Sequence, residues 1–125
     1  MSEPRRRVRI ENATRGTVLA ERCAVALSTR ERTVGLLRTP ETALGNGLLI
    51  ERSPSIHMFF MKYAIDAIFL DRHQRVAHLA PGLRPWRVVA WARGARDCLE
   101  APVGTVARTG TMVGDQLLVT DVSEA

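Results

Sequence analysis

Apolar and polar residues alternate along several short stretches of the chain, and this period of two predicts β-strands. The stretches RRRVRIENA (residues 5–13) and TVLAERCAVAL (residues 17–27) flank the turn-like sequence NATRG, which predicts a hairpin. Further strands are predicted from composition and flanking turn residues at 48–51, 57–61, 65–70, 75–80, 87–92, 95–102 and 116–122.

A helical pattern is clear in one stretch only. In STRERTVGLLRTP (residues 28–40), Ser28 and Glu31 have the spacing of a capping box, and an apolar side follows before Pro40. Residues 103–115 (VGTVARTGTMVGD) indicate a helical turn or an irregular crossing. We therefore expect one or two short helices.

These elements together predict an α+β, β-rich fold. Residues 1–125 are expected to form a single compact domain, with residues 1–5 as a ragged basic N-terminus. Many short strands with little helix favour a curled, barrel-like, mainly antiparallel sheet of about seven or eight strands. A chain of this length buries roughly two thirds of its unfolded surface, so a real core is expected.

The composition indicates the cellular compartment of the protein and the state of its cysteines. No apolar run is long enough to span a membrane, and no secretory signal pattern follows the basic N-terminus, so we expect a soluble cytoplasmic protein with no membrane partner. Cys23 and Cys98 lie far apart and outside any CxxC pattern. They are expected to be reduced thiols that behave as small buried hydrophobic residues.

The chain is basic, with a formal net charge of +5 and a pI near 10.5. This charge is compatible with nucleic acid, acidic lipid or an anionic ligand. Of the 18 basic residues all but Lys62 are arginine, and they are spread along the chain. This spread indicates a compositional preference for arginine as much as a basic binding patch. Lys62 is notable because an ammonium and a guanidinium differ in geometry and in pKa behaviour.

The most apolar stretch, HMFFMKYAIDAIFLD (residues 57–71), contains Lys62 and Asp66. In a helix these two side chains would lie four residues apart on one face, whereas in one straight strand they would be about 13 Å apart. The composition favours two strands, and a bend between them would bring Lys62 and Asp66 together. The stretch is therefore predicted to bend.

Two interpretations of this charge pair remain open. Asp66 is either a structural residue that accepts hydrogen bonds from backbone N–H groups at the bend, or part of a ligand site. In such a site Lys62 would contact an anion, and Asp66 would orient the ligand or act as a base. His57 is either a strand-end residue or a proton carrier for the same site. His73 and His78 carry no metal-binding spacing, so no metal is predicted.

Two other features have both a structural and a functional interpretation, and a third, Asp115, has a structural one. Glu100 is either an outward-facing strand residue or a ligand contact, and Asp115 after Gly114 suits a turn. Trp86 and Trp91, with arginines nearby, either cover the end of a small core or stack on bases. No Walker, GxGxxG or GxSxG motif is present, so enzymatic activity stays undecided and no cofactor is predicted.

Several motifs together resemble a known family. They are TRERTVGLL, GNGLLI, HMFFMKYAIDAIFLD, RVAHL, LEAPVGT and VGDQLLV, and they are similar to the bacterial and archaeal family catalogued as domain of unknown function 192. The resemblance implies a small β-rich fold with a helix and no established activity. The recurrent polar positions of that family fall here on Lys62, Asp66, Asp71, Glu100 and Asp115.

Three functional hypotheses follow. The first is a small-molecule or anionic-ligand site at a cleft near the bend, formed by Lys62, Asp66, His57 and Glu100, with Asp71, Gly114 and Asp115 as structural residues. The second is a structural or accessory domain that acts through a protein partner at an exposed sheet edge. The third, ranked behind these two, is nucleic-acid binding through the N-terminal arginines or residues 84–96.

Overall fold

The structure, a computed structural model, describes residues 6–26, 46–58, 61–89 and 92–122. In these residues the chain forms nine strands and one short helix, named here in chain order. The elements are β1 Arg7–Asn12, β2 Thr17–Ala26, β3 Leu48–Ile50, β4 Ile56–His57, β5 Ile65–Leu70, β6 Val76–Leu83, β7 Val88–Val89, β8 Asp97–Ala101, α1 Thr105–Thr109 and β9 Leu117–Asp121.

Seven strands form one sheet in the order β6-β5-β8-β3-β2-β1-β9, and β4 pairs with β7 in a small second sheet. All pairings are antiparallel except that of β2 with β3. The sheet curls into a half-barrel, because its edge strands approach each other where Arg75 bridges to Gln116. The predicted β-rich, barrel-like α+β fold is confirmed.

The sheet has an apolar core on each face. The concave core contains residues from all seven strands, such as Ile10, Leu49 and Ile68, and Val76 and Leu117 come to it from the two edge strands. On the other face, residues of the central strands such as Phe69 pack with Ile56, Met58 and Val89 from the segments around β4 and β7. Each fully buried large side chain stabilises the fold by about 1.5–3 kcal/mol.

The β1–β2 hairpin forms as predicted around residues 13–16, where the N–H of Gly16 donates to the carbonyl of Asn12 at 2.8 Å. Gly16 has a φ of 70°, a backbone conformation that glycine adopts without steric cost. The strands predicted at 48–51, 65–70, 95–102 and 116–122 are also present, with ends that differ by one or two residues.

Two predicted elements differ from the structure in their bounds, and a third falls on residues that the structure does not describe. The strand predicted over 57–61 is too long, because β4 ends at His57 and neither Met58 nor Met61 lies in a strand. The strand predicted at 75–80 is too short, because residues 81–83 continue β6. The helix predicted over 28–40 lies outside the described residues.

Candidate functional site

Asp66 is buried, with 1% of its surface exposed, and its carboxylate accepts hydrogen bonds from three backbone N–H groups. Oδ1 accepts from Gly82 at 2.8 Å, and Oδ2 accepts from Gly104 at 3.2 Å and from Val106 at 2.9 Å. A buried carboxylate needs such donors, because an uncompensated one carries a large desolvation cost. This is the geometry that the structural interpretation of Asp66 predicts.

The local sequence explains why these donors need a side-chain acceptor. Between the pairs Ile65↔Leu83 and Ala67↔Ala80 the register shifts, so Asp66 lies opposite Pro81 and Gly82 together, as in a β-bulge. Proline has no N–H, and the N–H of Gly82 donates to Asp66.

The other two donors belong to the start of α1. The N-cap residue of this helix is Gly104, which has no side chain to accept from the first turn. The carboxylate of Asp66 takes that role from the neighbouring strand, and its negative charge suits a helix N-terminus. Asp66 thus holds β5, β6 and α1 together.

Lys62 is exposed and lies in the segment between β4 and β5. His57 is half-buried in β4, where it pairs with Val88 of β7. The structure therefore places both residues beside the β4–β7 pair, whereas Asp66 lies within the sheet. The ligand-binding role of Lys62 and His57 stays a prediction.

Glu100 is fully buried in β8 and projects from the opposite face of the sheet to Asp66. The register pairs Ala67 with Glu100 and Asp66 with Ala101, and paired residues share a face. Since successive strand residues alternate, Glu100 lies on the face of Cys98 and Asp66 lies on the face of Ile68. One cleft cannot be lined by both carboxylates.

Asp115 forms a second buried carboxylate site, at 4% exposure, with partners that the sequence reasoning missed. Its Oδ2 accepts from Nδ2 of Asn12 at 2.9 Å, from Nε of Arg15 at 3.0 Å and from the N–H of Met112 at 2.9 Å. The hydrogen bond from Arg15 is the main reason that the pKa of Asp115 falls from 3.8 to about 2, against the opposing effect of burial.

Threonines extend this network towards α1. Nδ2 of Asn12 also donates to Oγ1 of Thr111 at 3.2 Å, and Thr111 shares a 2.6 Å hydrogen bond with Thr109. The contacts tie the β1–β2 turn to the α1–β9 segment. We call Asp66, Asp115 and the groups that donate to them the α1 network.

Asp71 and Gly114 also lie in turns. Oδ1 of Asp71 accepts from the N–H groups of His73 at 2.8 Å and Arg75 at 3.0 Å. Desolvation raises the pKa of Asp71, but these two hydrogen bonds together with nearby positive charge outweigh it, so the net shift is downward. Gly114 has a φ of 95° and donates its N–H to the carbonyl of Val76.

A tight turn at residues 84–87 carries an exposed tryptophan. The N–H of Arg87 donates to the carbonyl of Arg84 at 3.2 Å, Pro85 takes the second position, and Trp86 takes the third with a φ of 70°. A positive φ at that position is the mark of a type II turn, which normally has glycine or asparagine there. Trp86 is nevertheless 59% exposed.

The turn is anchored through Met58. The carbonyl of Met58 accepts from the N–H of Trp86 at 2.7 Å and from the N–H of Met61 at 3.2 Å, and the N–H of Met58 donates to the carbonyl of Arg87 at 2.7 Å. Shared bonding to one carbonyl brings the backbone that precedes Lys62 next to the turn. The exposed side chains here are called the Trp86 surface: Lys62, Arg84, Trp86, Arg87 and Val88.

The Trp86 surface lies in a stretch without acidic residues. Residues 72–96 contain six arginines and two histidines but no aspartate or glutamate. Within the described residues, Lys62, Arg84 and Arg87 form no salt bridge, whereas Arg6, Arg9, Arg15 and Arg96 do. This surface is therefore positive. Trp91 belongs to the same stretch but lies outside the described residues.

In the part of the chain that the structure describes, no group of His, Cys, Asp and Glu has an arrangement that would hold a metal ion. Burial raises the pKa of the Cys23 thiol to about 12, and Cys98 is buried, so neither thiol is poised as a nucleophile. Among these residues, none of the helices has the length and apolar character needed to cross a bilayer.

Solved structures with a similar fold come from two bacteria. A proposed transcription regulator of Sinorhizobium meliloti 1021 has a TM-score of 0.77 at 22% identity, covering 95% of this chain and 96% of the other. A protein of unknown function from Novosphingobium aromaticivorans has a TM-score of 0.68 at 24% identity, covering 90% and 83%. At these identities the likeness shows the fold alone.

Sequence comparison identifies the family. A UPF0127 protein of Thermococcus sibiricus is 34% identical over 110 residues, which is 85% of this chain and 71% of the relative. One from Pyrococcus furiosus is 34% identical over 109 residues, covering 85% and 93%. The profile of domain of unknown function 192, described as "Uncharacterized ACR", matches residues 10–119. The chain therefore belongs to this uncharacterised family.

Proposed function

We propose that the protein binds a polyanionic partner through the Trp86 surface. The observation that carries the proposal is the conformation of Trp86, which combines 59% exposure with a φ of 70°. A non-glycine residue in this region is strained, and an exposed tryptophan gives up little contact with water in return. We interpret this strained, solvent-facing aromatic side chain, which lies between two arginines in the sequence, as a group that contacts a binding partner.

Charge supports an anionic ligand. Arg84 and Arg87 belong to the same turn as Trp86, the backbone before Lys62 lies next to that turn, and no carboxylate occurs between Asp71 and Asp97. Exposed cations raise the local concentration of anions and their association rate. Several cations in one stretch suit a polyanion better than a single small anion.

The proposal keeps one part of the predicted ligand site and gives up another. Lys62 remains a cationic contact, and His57 lies beside the surface in the β4–β7 pair. Asp66 is already bonded to three backbone N–H groups, and Glu100 is fully buried on the face of the sheet that the segments around β4 and β7 cover, so neither is exposed at the proposed surface. The predicted cytoplasmic location would give the protein access to polyanions there.

The test is a titration of fluorescein-labelled inorganic polyphosphate with the full chain, followed by anisotropy at 50 and 200 mM NaCl. The double variant Arg84→Gln/Arg87→Gln should weaken binding about tenfold at the lower salt and reduce the salt slope by roughly two charge contacts. Lys62→Gln should weaken it about threefold, as expected for one peripheral cation.

The matched control is Arg6→Gln/Arg9→Gln, which removes the same charge from Arg6, just before β1, and from Arg9 within it; both arginines are paired with carboxylates. This control should change the affinity less than about twofold, since neither cation belongs to the proposed surface. An equal loss in the two double variants would show that net charge alone is responsible. Absence of binding by the native chain at 50 mM NaCl would remove the proposal altogether.

A further inference from the structure

Resting on this proposed function, we infer that the polyanion is a single-stranded nucleic acid. One unpaired base stacks on the indole of Trp86, and Arg84 and Arg87 contact the phosphates on either side of it. The inference joins two properties of the same turn, the exposed ring and the flanking cations. Cationic grooves with aromatic stacking platforms are the usual means of binding single strands without sequence preference.

The ring is presented in a fixed position. Hydrogen bonds of 2.7 Å connect Met58 to both Trp86 and Arg87, and a third bond closes the turn between Arg84 and Arg87. Because the backbone under the indole is already ordered, stacking a base costs little conformational entropy in the protein. A simple phosphate or a carboxylate would need only the guanidinium groups, so the rigid, exposed indole favours a ligand with aromatic faces.

The same geometry favours a single strand over a duplex. In a duplex the base faces are covered by neighbouring bases, and only edges and phosphates are accessible from the grooves. In a single strand each base can turn out and lie on an aromatic side chain. Trp86 projects from a two-residue turn corner beside the short strand β7, which suits a base that leaves its own stack.

The experiment uses the full chain and four fluorescein-labelled probes: a dT 12-mer, an rU 12-mer, an abasic 12-mer that keeps the sugar-phosphate backbone, and a 12-residue polyglutamate. The native chain should bind dT or rU at least tenfold more tightly than the abasic strand at 50 mM NaCl. Trp86→Leu should weaken binding of the base-containing strand about tenfold and leave binding of the abasic strand unchanged.

Two controls test whether loss of binding by Trp86→Leu comes from loss of the aromatic ring or from misfolding. Trp86→Phe keeps an aromatic face and should stay within about threefold of the native affinity, while Trp86→Leu should show a native far-ultraviolet spectrum. Titration of the intrinsic tryptophan fluorescence should show quenching by dT or rU and none by the abasic strand.

The outcomes separate this inference from the proposed function. Equal binding of abasic and base-containing strands, unaffected by Trp86→Leu, would overturn base stacking and leave polyanion binding intact. Tighter binding of polyglutamate than of either oligonucleotide would identify an acidic protein segment as the partner and would also overturn the inference. Failure of every probe at 50 mM NaCl would remove both.

Discussion

In the α1 network, two buried carboxylates are bonded to the protein's own backbone and side chains, whereas on the Trp86 surface three cations and an aromatic ring face solvent. Asp66 and Asp115 are 1% and 4% exposed, and Trp86 is 59% exposed. The network joins segments through buried side-chain acceptors, whereas the surface joins the 84–87 turn to the β4–β5 segment through backbone hydrogen bonds and leaves its side chains exposed. Both regions contain charge, but only one of them uses it within the fold.

The two regions differ in hydrogen bonding of their polar groups and in backbone strain. Each oxygen of Asp66 and Asp115 has a donor, so the free energy of burying the charge is offset inside the molecule. For Trp86 the balance differs, because its positive φ has a conformational free-energy cost, while its side chain is mostly exposed to water and gains little from burial. Variants in the two regions should therefore respond differently in stability and in binding.

The largest expected effect is that of Asp66→Ala. The substitution leaves the N–H groups of Gly82, Gly104 and Val106 without their acceptor, and each buried unsatisfied donor costs about 1–3 kcal/mol. We expect the free energy of unfolding to fall by about 3 kcal/mol or more, measured by urea denaturation at pH 7. Polyphosphate binding by the folded fraction should be unchanged.

Asp71→Ala is the matched control for this variant, because Asp71 also accepts from two backbone N–H groups but is only half-buried. Water can replace the carboxylate there, so the loss should be about 1 kcal/mol or less. Similar losses in the two variants would show that burial of Asp66 adds nothing, and the structural interpretation of that residue would be wrong.

A smaller effect, with a defined pH dependence, is expected for Asp115→Asn. The pKa of Asp115 is about 2 in the folded protein and 3.8 without its partners, so its contribution is present above pH 4 and is lost as the pH falls towards 2. A shift of this size corresponds to roughly 2 kcal/mol. The variant should be less stable than the native chain by about that amount at pH 7.

The measurement is urea denaturation of both chains at pH 7 and pH 2.5. Because the asparagine side chain does not titrate, the difference between the two free energies of unfolding should shrink by more than half at the lower pH. A difference that is equal at both pH values would assign the loss to packing and not to the ionised carboxylate with its partner Arg15.

Local patterns were sufficient to predict much of the fold. The NATRG turn between two alternating stretches predicts the β1–β2 hairpin, and similar patterns predict β5, β8 and β9, because these signals lie within a few neighbouring residues. The need of Asp66 for backbone donors was also predicted, as one of two alternatives, since a carboxylate in an apolar run requires them.

The partners in the α1 network could not be predicted from local patterns. Asp66 reaches donors 16, 38 and 40 residues away, and Arg15 lies 100 residues from Asp115, so only the folded topology brings them together. Strand alternation was the available signal that Glu100 and Asp66 face opposite sides, but it required the register of β5 with β8. Asn12 and Arg15 resemble ordinary turn residues in the sequence.

The Trp86 turn was hidden for a different reason. Proline at the second position indicated a turn, but a type II turn normally has glycine at the third, so Pro-Trp did not indicate this conformation. The absence of acidic residues from 72 to 96 is readable in the sequence and is the signal that would have directed attention to this segment. It was obscured by the even spread of arginine over the whole chain.

The smallest expected effect compares Trp86→Gly with Trp86→Ala. Both variants remove the indole, but only glycine adopts a φ of 70° without steric cost, so Trp86→Gly should be about 1 kcal/mol more stable than Trp86→Ala in urea denaturation. Equal stabilities would mean that the turn relaxes and stores no strain. If the glycine variant is as stable as the native chain yet loses dT or rU binding, the ring contributes to recognition and not to folding, in contrast to Asp66.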